Sequence, residues 1–101
     1  MDRFRVVDPG ELRLPPGRQD GPDKARYQNQ VRRFGAGTIG FPPIEVTEGR
    51  DGELMINNGV TRATRIHFLA AGKTVPIEVI DVRPHADFSR LKRVRDIQPP
   101  Q

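Results

Sequence analysis

At 101 residues, 35% hydrophobic and 30% charged, with ten Gly, ten Pro and no Cys, the sequence suits one loop-rich domain with a modest core. It excludes disulfides, thiolate nucleophiles and cysteine-ligated metal centres. The formal charge of +4, from 17 basic and 13 acidic side chains, is a mild excess and by itself a weak nucleic-acid signal.

In chain order, "RFRVV" alternates charged and apolar residues and predicts a strand, closed by the turn "DPGE". "LRLPPGRQDGPD" is rich in Pro, Gly and Asp and is expected to be a loop, not a core element. Pro22 or Asp23 opens a helix through "KARYQNQVRRFG", with Tyr27, Val31 and Phe34 at helical spacing and Gly35 as its stop. "AGTIGFPP" is a second connection. "IEVTE", "GRDG" and "ELMI" then predict an antiparallel hairpin over residues 44–56. Glu45, Glu53 and Glu78 alternate with apolar residues and are expected on the solvent face of the sheet.

"NNGVTRATR" follows, with Asn57 or Asn58 as the expected cap of a helix running to Ala71. Val60, Ala63, Ile66, His67 and Ala70 form its apolar stripe, bordered by Arg62 and Arg65. Gly72 ends it, "KTVPIEVIDV" predicts a β-branched strand, and "DFSRLKRV" predicts a last short helix capped by Asp87 or Ser89. Residues 1–97 are expected to form one α+β domain, and 98–101, "QPPQ", a frayed tail. There is no apolar run near the roughly 18 residues that span a bilayer, and "MDRFRVVDPG" has no signal-like region. The expectation is a cytoplasmic location and no membrane partner.

Arg62 raises the main chemical question. The start of a helix carries unpaired N–H groups and about half a unit of positive charge, so a cation in its first turn is disfavoured by up to about 1 kcal/mol. A bound phosphate would relieve that conflict. The Thr61 hydroxyl and the Gly59 and Val60 amides are further candidate donors, and Arg65, one turn on, is the candidate second arm of a clamp. The alternative is an ordinary capped helix with solvated arginines. His67 and His85 are far apart and, with no Cys, make no metal-ligand spacing, so no protein-held metal is expected. Glu11, Asp20 and Asp23 flank the Pro-rich loop, where they either hold a cation near a phosphate or serve as surface turn residues. Arg90, Lys92, Arg93 and Arg95 form either a solvated face or a contact to a nucleic-acid backbone.

"FPPIEVTEGRDGELMINNGVTRATRIHFLAAGKTVPIEVID", with weaker support from "VVDPGELRL" and "RQDGPDKARYQNQVRRFG", resembles the ParB/sulfiredoxin-like superfamily, specifically the ParB N-terminal domain. The resemblance covers nearly all of residues 4–82. It implies a small domain with a mixed sheet of about four strands and two to three helices, binding a nucleotide through the loop and helix after the second strand. ParB proteins bind and hydrolyse CTP while loading onto DNA; relatives include sulfiredoxins, free-serine kinases and proposed nucleases. By this resemblance Gly59 matches the glycine of the phosphate motif and Arg62 its central arginine, while Gly35, Pro43 and Ile44 match another part of the nucleotide pocket. Mg²⁺ would accompany a bound nucleoside triphosphate. Thr61 stands where ParB proteins usually have an adjacent arginine. Val60 replaces the cysteine that sulfiredoxin activity needs, so that activity is excluded. No helix-turn-helix lies in these 101 residues, so partition-type DNA clamping is not expected of this polypeptide alone. A module that binds another protein is the remaining alternative, and the residues leave open whether any ligand is transformed.

Overall fold

The computed structural model describes residues 2–100. Its elements are β1 (Phe4–Val7), α1 (Lys24–Phe34), β2 (Ile44–Glu48), β3 (Leu54–Asn58), α2 (Val60–Leu69) and β4 (Val75–Val82). The strands form a mixed four-stranded sheet in the order β1-β4-β2-β3. β2 and β3 are the expected antiparallel hairpin, turned at Asp51 and Gly52, both with positive φ. β4 returns through α2 to lie parallel to β2, and β1 closes the far edge antiparallel to β4. The domain is therefore a small α+β unit.

Alternation along the strands decides which face is covered. Ile44, Val46, Ile56, Val75 and Ile77 point inward and form one core cluster with Ala63 and Ile66 of α2. Complete burial of each aliphatic side chain contributes about 1.5–3 kcal/mol. On the other side, Phe4 stands opposite Glu78 and Val6 opposite Pro76, and these two β1 residues remain 48% and 67% exposed. At the end of β4, partners pass from Val79 to Asp81, leaving Ile80 as an unpaired, exposed bulge residue.

Two expectations fail for the same reason. The segment 12–23 forms no strand or α-helix, only a 3-10 turn at Pro16–Arg18, yet Leu12 and Leu14 are fully buried core residues. The segment 87–94 forms no α-helix; a 3-10 turn at Val94–Asp96 follows it instead. Its backbone groups are used elsewhere. The Leu14 N–H donates to the Lys92 carbonyl at 2.8 Å, and the Val94 N–H donates to Leu12 at 2.9 Å. Arg13 Nη1 takes the Ser89 and Leu91 carbonyls at 3.4 and 2.7 Å. Asp87 accepts the local Ser89 N–H at 2.9 Å and pairs with Arg50 at 2.6 Å. Val94 and Ile97 thereby join the core. Residues 98–100 have no regular structure, although Pro100 shares a shallow groove with Tyr27, Val31 and Leu69. Of the expected tail, Gln101 lies outside the described residues, as does Met1 of the expected domain.

Glu53 leaves the solvent-face pattern to hold this arrangement together. It accepts from Arg13 Nε and Nη2 and from Arg93 Nη2, each at 3.1 Å. The Arg13 hydrogen bonds hold its carboxyl below the ordinary value of 4.5, with burial opposing and Arg93 adding to the effect. The folded state thus binds this proton less tightly than the unfolded chain. Its contribution is complete above the unfolded pKa and is lost as pH falls through the depressed folded one. Glu53→Gln is expected to cost about 1–3 kcal/mol at pH 7 and to flatten the acid limb of stability against pH, as read by urea denaturation between pH 3 and 7.

Candidate functional site

The start of α2 is set by Gly59, not by an asparagine. Gly59 has φ 117° and ψ 20°, and a Cβ there would lie 3.0 Å from Ile44 Cγ1, so both conformation and space require glycine. Asn57 and Asn58 belong to β3, where the Asn57 Oδ1 accepts from the Thr47 hydroxyl at 2.8 Å. No side chain caps α2. Its first amides consequently keep their demand for an acceptor. The start of α1 is different, because the Asp23 carboxylate accepts from the Arg26 N–H at 2.9 Å.

Both helix starts border one cleft of about 300 Å³. Gly59, Thr61 and Arg62 line one part of it; Arg18, Asp23 and Arg26 line another. Three arginines and one acid thus line it. Elsewhere Arg3 is paired with Glu78, Arg5 with Glu48, Arg50 with Asp87 and Arg83 with Asp81, while Arg32, Arg33 and Arg90 make no carboxylate pair among the described residues. Among the described residues, Arg18, Arg26 and Arg62 have no carboxylate partner. Arg62 Nη1 donates to the Pro42 carbonyl, its guanidinium lies 4.8 Å from the Phe41 ring centroid, and its Nε is buried with no partner. Burial, and secondarily the neighbouring Arg65, lower its pKa from the ordinary arginine value.

Arg65 is not an arm of this cleft. It is 0% exposed, with Nε on the Gln30 Oε1 at 3.1 Å and Nη1 on the Gly35 and Gly37 carbonyls at 2.9 and 2.7 Å. The Phe34 and Phe41 rings lie 5.5 and 5.3 Å from its guanidinium. The C-terminal end of α1 supplies the compensating partial negative charge. Gln30 also lines the cleft, so Arg65 supports its wall from behind. Pro43 is likewise outside the lining, although its neighbour Pro42 holds Arg62.

The cleft adds Arg18 and Arg26, which the sequence reading did not single out. Arg26 carried a usable signal, since it occupies the first turn of α1 against the dipole, the same anomaly that drew attention to Arg62. Arg18, in a short 3-10 turn of the Pro-rich segment, carried none. The basic run is largely neutralised: Arg93 pairs with Glu11 and Glu53, Arg95 with Glu11, and Lys92 lies 3.9 Å from Asp20. Arg90 makes no such pair among the described residues. Of the three acids flanking the Pro-rich loop, only Asp23 reaches the cleft. His67 packs on Phe68, with ring centroids 4.6 Å apart, and a Cβ on Gly10 would come within 2.7 Å of its ring. Among the described residues, no group of three or more His, Cys, Asp or Glu is placed to hold a metal ion, and no helix is long and apolar enough to cross a membrane.

Arg65→Met is expected to destabilise the protein by about 2–4 kcal/mol, because three acceptors lose their donor in a closed space. Urea denaturation measures this directly. An unchanged midpoint would contradict the structural role.

No family model matches the chain, and no curated protein and no solved structure matches it.

Proposed function

We propose that this chain is a cytoplasmic ParB/sulfiredoxin-like domain that binds a phosphate-bearing ligand, preferably a nucleoside triphosphate, where α2 begins. The observation that carries this reading is the concentration of unneutralised arginines at an uncapped helix start. Gly59 lets the backbone approach the ligand, the first amides of α2 donate to phosphate oxygens, and Arg62 adds a charge-assisted donor. The family likeness rests on the order of elements and on the Gly59 and Arg62 positions. A Mg²⁺ ion would enter with the phosphates that hold it, consistent with a cleft that contains one carboxylate. These residues position an anion and stabilise its charge; none of them is placed as a general base.

A second reading, a module that docks another protein, is favoured by Phe4, Val6 and Ile80 standing exposed on β1 and β4. Binding experiments separate the two. Under the first reading CTP, ATP or GTP binds, and Arg62→Ala weakens that binding about tenfold or more, a loss near 1.4 kcal/mol. Calorimetric titration measures both proteins, and equal affinity would remove Arg62 from the site.

A further inference from the structure

Independently of the phosphate-binding reading, we propose that the free edge of β1 pairs with the β1 edge of a second copy of this chain, joining two sheets across a two-fold axis. The two edges of the sheet are built differently. At β3 the edge is covered: the Arg13 N–H donates to the Leu54 carbonyl at 2.8 Å, and the Ile56 N–H donates to the Arg13 carbonyl at 2.9 Å. β1 has β4 on one side and, among the described residues, no strand on the other.

The pairing with β4 decides which backbone groups of β1 face outward. Antiparallel neighbours alternate between residues that exchange hydrogen bonds and residues that do not. The Val79 N–H donates to the Arg3 carbonyl at 2.7 Å, so Arg3, Arg5 and Val7 turn their backbone groups toward β4. Pro76 agrees with this phase, because it stands opposite Val6 and has no N–H to donate. The N–H and C=O groups of Phe4 and Val6 therefore point away from the sheet, and such a row is a template for another strand.

The residues of that row fit a copy of themselves. An axis through Arg5 places Phe4 of each copy against Val6 of the other, so every outward donor and acceptor is used and the two exposed β1 side chains form an aromatic–β-branched pair twice. Axes through Phe4 or Val6 instead set one of these apolar residues against an aspartate, Asp2 or Asp8. An unrelated strand would need its own apolar pair at this spacing, whereas a second copy carries it. Arg5 then meets Arg5 across the axis, but each guanidinium is already held by Glu48. Asp2 stands opposite Asp8 at the two exposed ends, where salt screens the repulsion. A four-residue edge falls short of the roughly 1,200 Å² of a standard interface, so the expected dissociation constant is about 0.1–1 mM.

Sedimentation equilibrium of the 101-residue chain from about 0.02 to 2 mM tests this. The average mass is expected to rise toward two chains, and further when salt is added. Val6→Pro removes no bond to β4, and edge strands accept proline on their outward side, so circular dichroism is expected to stay unchanged while the dissociation constant rises about tenfold or more. Val6→Lys, which leaves the backbone intact, is expected to do the same. In the wild-type chain, the Phe4 and Val6 amide resonances are expected to move with concentration. A single-chain mass at the highest concentration would overturn the proposal. So would association undiminished in both variants, or a mass that grows past two chains.

Discussion

Arg65 is a charged group buried without a carboxylate, and the arrangement of both helices follows from how that charge is accommodated. Its hydrogen bonds go to Gln30 and to the two carbonyls just beyond α1, so the negative end of one helix is fastened to the middle of the other. Phe34 and Phe41 complete the enclosure. Taking a guanidinium out of water is expensive unless its donors are met; here Gln30 meets Nε and two backbone carbonyls meet Nη1, while Nη2 is buried with no partner. With that fastening in place, the starts of α1 and α2 border the same cleft and bring Arg26 and Arg62 to it.

The charge pattern divides the molecule. Around the sheet and the C-terminal segment most arginines are matched to carboxylates, Arg90 excepted, and the Arg13–Glu53–Arg93 group joins segments distant in sequence. At the cleft the matching stops. A mild net charge of +4 therefore understates the local excess, because the acids are spent elsewhere. That distribution separates an anion-binding reading from a nucleic-acid one based on residues 90–95. Most of the cations in that run already have partners within the chain.

The elements with local causes were legible in the sequence. Period-two alternation gave β2, β-branched composition gave β4, and the Asp23 cap and Gly35 stop bounded α1, while the cap of α2, expected at Asn57 or Asn58, lies at Gly59. What escaped was non-local. Segment 87–94 has the composition of a short helix, but the partners that capture its backbone, Leu12 to Leu14, lie about 80 positions earlier. Helical spacing put Arg62 and Arg65 on one border, and only the position of α1 decides that one lines a cleft while the other is sealed. The Asn57 side chain looked free to cap because its partner Thr47 lies across the hairpin.

The central claim is that unmatched arginines and an uncapped helix start form one anion site. Residue-resolved NMR during addition of pyrophosphate tests it most directly, following backbone amides and arginine Nε groups. The account predicts that the largest shifts fall on the Val60, Thr61 and Arg62 amides and on the Arg26 side chain, saturating with a single dissociation constant. Shifts centred on residues 90–95, or a spectrum unmoved by the anion, would contradict it.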